Sequence, residues 1–180
     1  MLFAVLSVAL GGALAAAGAV VCRGRHPQAS LAARLPRARL LGEVLGIVCL
    51  VWSAYHAGLM LEGGLAVYRK VIWALVPVIA LVAYHHLDYL FGRALGGFLV
   101  LSASFLVHGA FASAVPWRPL YCVVCYLLGI WAMTLVAMPW RFRDLLAALS
   151  RPGRWQRSVG AATLAGGLVL VILPLLPRAS

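Results

Sequence analysis

Acidic side chains are almost missing from this chain. Glu43, Glu62, Asp88 and Asp144 stand against fifteen Lys and Arg in 180 residues, and charged residues of both signs make up only 11%. Soluble domains carry roughly 25% charged and about 45–50% apolar residues, whereas this chain is 64% hydrophobic. A water-solvated surface is thereby excluded for most of its length. The motifs of soluble enzymes are absent too: there is no G-x-S-x-G, no G-x-x-x-x-G-K and no G-x-G-x-x-G, which sets aside the hydrolase, kinase and dinucleotide mechanisms those turns serve. Carriers place charges in mid-membrane and break their helices there. Here the four acids fall near the ends of apolar runs and only Pro77 interrupts a run centrally.

What is present is apolar in blocks. Six runs, at about Leu2–Cys22, Leu40–Leu61, Val71–Leu90, Leu95–Val115, Leu120–Met138 and Val159–Leu176, are each long enough to cross a hydrocarbon layer of about 30 Å. The expected fold class is all-α: a polytopic membrane helical bundle of about six transmembrane helices plus a short amphipathic interfacial helix. Residues 1–180 form a single integral-membrane domain in this reading, since the connections are short. The first run has no basic segment before it, Arg23 and Arg25 follow it, and Val21 precedes Cys22. It reads as a retained helix, neither a signal peptide nor a lipidation site.

Arg23, Arg25, Arg34, Arg37 and Arg39 fill the first connection, and Arg141, Arg143, Arg151, Arg154 and Arg157 fill the fifth. Loops rich in Arg and Lys stay cytoplasmic, and with six spans the first and fifth connections share a side. The expected location is a bacterial-type inner (plasma) membrane, multi-pass, with both termini outside the cytoplasm. The fifth connection, PWRFRDLLAALSRPGRW, sets Phe142, Leu145, Leu146 and Leu149 at i, i+3, i+4, i+7, with Arg141, Arg143 and Asp144 around them. This is the pattern of a helix lying on a leaflet. Arg141, Phe142, Arg143, Leu145, Leu146 and Leu149 are the expected lipid interface, and their partner is a bilayer with anionic head groups on the cytoplasmic side, worth about 1 kcal/mol per basic residue. The net charge of +11 is accounted for in this way without nucleic acid.

Small residues recur four apart within the runs: Gly11 and Ala15, Gly42 and Gly46, Gly92 and Gly96, Ala162 and Gly166. Such pairs let helix backbones approach closely, either within this chain or against another. Arg37–Gly58 and Gly92–Phe111 also echo one another, each starting at an Arg near Leu-Gly and reaching a His; this is the pattern of a parallel repeat of a two-helix unit.

The sharpest chemical feature is the C-x-x-C of RPLYCVVCYLLGIW, residues Arg118–Trp131. Cys122 and Cys125 sit at i and i+3, on one helix face. By helical rise, His56 and His108 lie about 22–24 Å along their runs, at the level of the two thiols, so the four side chains form a candidate outer-face cluster. YCVVCYLLGI resembles the membrane oxidases of the vitamin K epoxide reductase and disulfide-bond-oxidase type, which place a C-x-x-C at the outer end of a transmembrane helix beside a quinone. The resemblance covers about ten residues and implies a thiol–disulfide centre. Those families relay electrons through a second pair on an outer loop, where this chain has Cys22 and Cys49 at the inner boundary and mid-membrane. Paired imidazoles at matching depth would suit haem b, and a mixed His/Cys set would suit a metal ion. Against these readings, Cys packs readily as a small hydrophobe. The sequence points to a non-catalytic accessory or assembly subunit of a larger inner-membrane complex, with other membrane subunits as partners and no cofactor. The alternative is a redox- or metal/haem-binding membrane protein using His56, His108, Cys122 and Cys125.

Overall fold

The computed structural model describes residues 1–23, 39–61, 66–86, 90–149 and 153–176. Their secondary structure is helical throughout: α1 (Leu2–Cys22), α2 (Arg39–Met60), α3 (Tyr68–His86), α4 (Leu90–Ala112), α5 (Arg118–Ala137), α6 (Trp140–Leu149) and α7 (Arg154–Ile172), closed by a 3₁₀ turn at Leu173–Leu175. The fold is all-α, and five helices are long and apolar enough to cross a membrane: Leu2–Cys22, Leu40–Met60, Phe91–Ala112, Arg118–Ala137 and Arg154–Leu175. The third expected run differs. Its helix α3 opens on Tyr68, Arg69 and Lys70, holds Pro77 inside and ends at His86, while Leu90 already belongs to α4; residues 87–89, with Asp88, lie outside the described residues. The sixth run begins five residues earlier than its apolar stretch, because Arg154–Ser158 continue the helical hydrogen bonding inside α7.

The tightest contact joins the two ends of the chain. α1 and α7 pack antiparallel, Gly11 against Gly167 and Gly18 against Gly160. A Cβ on Gly11 would stand 2.7 Å from the Gly167 carbonyl oxygen, and one on Gly18 2.5 Å from the Leu164 amide nitrogen. No side chain fits there, so the backbones themselves touch and dispersion replaces lipid contacts along the seam. The pairing uses glycines seven residues apart on both helices, whereas the sequence suggested the four-apart pair Ala162 and Gly166. A seven-residue spacing keeps one face of a helix on a nearly parallel neighbour over two turns, and Ala162 is left exposed.

α4 is the hub of the bundle. Gly96 faces α5, where a Cβ on it would meet the Ala132 carbonyl oxygen at 2.8 Å, and Gly92 lies by Pro139 in the turn between α5 and α6. The opposite side of α4 holds α2, whose Trp52 ring meets Phe98 and Phe105 edge-on at 6.0 and 6.1 Å between centroids. α2 and α4, the two segments of the sequence echo, run side by side in the same direction, since Gly46 lies by Ala94 and Trp52 by Phe105. α3 packs chiefly on α2. Phe3 of α1 closes on α4 at Gly109 and lies 6.1 Å from the Tyr121 ring of α5. The core so formed gathers Leu10, Leu99, Leu106, Ala110, Val115, Tyr121, Cys125, Ala132, Leu135, Leu170 and Leu173.

The turn from α4 to α5 is made without glycine. Ala114 takes φ 49°, and the amides of Ala114 and Val115 return to the carbonyls of Phe111 and Ala110, the paired bonds that close a helix end around a left-handed residue. Buried Val115 completes the closure against Ala110. Trp117, also left-handed at φ 54°, then caps α5 ahead of Pro119, its carbonyl accepting from Leu120 and Tyr121.

Candidate functional site

The four side chains expected in one cluster occupy one end of the bundle, the end away from α6, but they divide between its interior and its surface. Cys122 and Cys125 share a face of α5 and turn inward; Cys125 is wholly buried in the core and Cys122 nearly so, and both thiols are free. His56 and His108 lie on exposed surface. The His56 ring is flanked on its own helix by Trp52 and Tyr55, at 6.4 and 5.7 Å between centroids. His108 turns back along α4 and donates from Nδ1 to the Ser104 carbonyl at 3.0 Å. No group of three or more His, Cys, Asp and Glu side chains placed to hold a metal ion occurs among the described residues.

Beside the cysteines lies a polar arrangement that was not anticipated. Ser7 of α1 and Tyr121 of α5 are both fully buried, 2.7 Å apart between hydroxyl oxygens. Ser7 Oγ also donates to the Leu170 carbonyl of α7 at 2.6 Å, so the single Ser7 proton is committed and Tyr121 must be the donor to Ser7. The reason is in the sequence four residues on. Within a helix the Leu170 carbonyl would accept from residue 174, and residue 174 is Pro, which has no N–H. An unpaired carbonyl inside an apolar bundle costs several kcal/mol, and Ser7 supplies the missing donor from across the helix pair. Pro174 read together with a serine in an otherwise apolar first run was the signal that could have identified this node.

A second polar bond fastens the other end of the same pair, where Gln156 Nε2 donates to the Val21 carbonyl at 3.0 Å while Gln156 is nearly buried. Val21 is the penultimate residue of α1, where helix carbonyls run short of intrahelical amides, and Gln156 adds a side-chain donor there. Thr134, Ser158 and Thr163 donate locally to the carbonyls of Trp131, Arg154 and Val159, whereas the buried Ser102 hydroxyl of α4 has no hydrogen-bond partner among the described residues.

α6 is the expected amphipathic helix of the fifth connection, and its apolar side is turned partly onto the protein. Phe142 packs on Phe91 of α4 with ring centroids 6.0 Å apart, Leu149 is buried, and Leu145 and Leu146 are half-buried. Arg141 is exposed, and Arg143 reaches Asp144 at 3.3 Å with both side chains more than half exposed, a pair of little energetic weight.

The fold and these sites define a class, an all-helical protein whose apolar helices fit a membrane. No known protein family, curated protein or solved structure matches the chain.

Proposed function

We propose that this chain is a non-catalytic integral membrane protein serving as an accessory or assembly subunit of a larger inner-membrane complex. The reading includes six spans, α3 among them, with α6 along the cytoplasmic leaflet and both termini on the far side, as the distribution of arginines requires. Its main support is the face of α1 left over once the bundle is assembled. Ala9, Gly12, Ala13, Ala16 and Ala17 are exposed, and nothing stands within 4 Å of a Cβ built on Gly12. Gly11 and Gly18, by contrast, are used up against α7. Small residues at this spacing gain little from acyl chains and much from another helix backbone. Full-length tagged chain extracted from its native membrane in mild detergent should co-migrate with other subunits. Gly12→Leu should abolish that co-migration while leaving the unfolding midpoint of the isolated chain unchanged. If wild type and variant both migrate alone, the reading fails.

A second reading, a redox- or metal/haem-binding membrane protein, draws support from His108. With Nδ1–H donated to Ser104, the neutral ring keeps its Nε2 lone pair on the exposed edge, the tautomer in which histidine ligates metals. The spectrum of the purified chain separates the two: a Soret band lost in His108→Ala favours this reading, and a colourless chain favours the first.

A further inference from the structure

At the end of the bundle that carries α6, the described residues concentrate arginine, with Glu43 and Asp144 as the acids there. The antiparallel α1/α7 register fixes this, because Cys22 Sγ contacts the Arg157 carbonyl and Gln156 reaches Val21. Arg23, at the close of α1, is thereby set beside the first turn of α7. Gln156 and Gly160 face α1, so Arg154 and Arg157, three apart, lie on another side of α7, and both are exposed. Arg141 and Arg143 are held at the same level by α6, whose Phe142 and Leu149 anchor it to the bundle. Only Arg143 has an acidic partner among the described residues. Trp140 and Trp155, 47% and 67% exposed, lie on the same two helices, the residue type that settles at head-group depth. We propose that this corner between α1, α6 and α7 binds the phosphodiester head group of an anionic phospholipid as a retained component of the protein, with Arg154 and Arg157 as its principal ligands. Guanidinium groups bond phosphate oxygens in pairs, and a charge excess held on rigid helix ends, between interfacial indoles, complements a lipid phosphate. This surface is independent of the α1 stripe and of the subunit reading drawn from it. The test uses the full-length chain in neutral detergent, with phosphatidylglycerol, phosphatidylcholine of the same acyl chains, or inorganic phosphate added, and reads both the unfolding midpoint and the lipid retained in native mass spectra. Phosphatidylglycerol should raise the midpoint and stay bound, while phosphatidylcholine and inorganic phosphate should do neither. R154Q/R157Q should weaken the phosphatidylglycerol effect by roughly tenfold or more. R69Q/K70Q, which removes the same charge from the opposite end, should stay within about twofold of wild type, because charges there lie beyond the screening length. Equal responses to the two lipids, a response reproduced by inorganic phosphate, or an R154Q/R157Q chain that binds like wild type would each overturn the proposal.

Discussion

Ser7 is the residue on which the most structure converges, because one hydroxyl joins α1, α5 and α7 and replaces an N–H that Pro174 removes. Ser7→Ala should therefore cost about 1–3 kcal/mol, since it leaves a buried carbonyl and the Tyr121 hydroxyl without their partner. Tyr121→Phe, which leaves the Ser7–Leu170 bond in place, should cost less, about 0.5–1.5 kcal/mol. The cause is checked by adding Pro174→Ala, which returns an N–H four residues after Leu170. Ser7→Ala should then be milder in that background, and unfolding in mixed micelles followed as a double-mutant cycle measures the coupling. Additive effects would mean that Pro174 is not why Ser7 is needed. The cysteines next to this node read as packing residues: Cys125 is wholly enclosed, and replacing it and Cys122 by Ala should cost on the order of 1 kcal/mol and, under the subunit role proposed above, leave co-migration unchanged. If co-migration is kept while the activity of the proposed complex is lost, the pair is reactive instead.

Between elements, the α1/α7 seam is the least tolerant contact. A single methyl on Gly18 would press on the Leu164 backbone, and backbone cannot step aside as a long side chain can. Gly18→Val should separate the two helices and lower the unfolding midpoint sharply, by an amount typical of overpacking, about 1–3 kcal/mol or more. Gly12, one residue from Gly11 yet on the open face, should accept the same change without loss in the isolated chain. Equal sensitivity at both positions would mean that α1 does not present these faces as described. α6 shows a related division. Its i, i+3, i+4, i+7 apolar pattern was plain in the sequence, but a pattern shows only that a face seeks an apolar neighbour, and part of that neighbour is Phe91 of α4.

For the whole molecule, the antiparallel pairing of first and last helices places residue 2 and residue 175 at the same end and α6 at the other. Arg23, Arg93, Arg141, Arg143, Arg154 and Arg157 belong to the α6 end, against Arg69, Lys70 and Arg118 at the opposite one. By the charge rule, a reporter that works only outside the cytoplasm should be active after Ser180, and one that works only inside should be active near Gln28. The reverse result would invert the orientation, and with it the leaflet assigned to the arginine-rich corner.

Apolar runs of membrane length, arginine-rich connections and a small-residue habit follow from composition and order alone, because lipid demands internally bonded helices of a set length and charge resists crossing it. All-helical architecture and the positions of the helices were legible on that basis. Gly11 and Ala15, a pair whose spacing marked it in the sequence, do line the α1/α7 seam, but their partners were not legible, since Ala162 and Gly166 carry the same spacing and only the crossing of α1 with α7 puts Gly160 and Gly167 there instead. The same holds for chemistry. The depth of His56, His108, Cys122 and Cys125 follows from counting residues at 1.5 Å each, whereas the rotation of each helix about its axis is set by packing with every neighbour at once. That rotation turned the thiols inward and the imidazoles outward, and it brought Ser7 to a carbonyl 163 residues further along the chain.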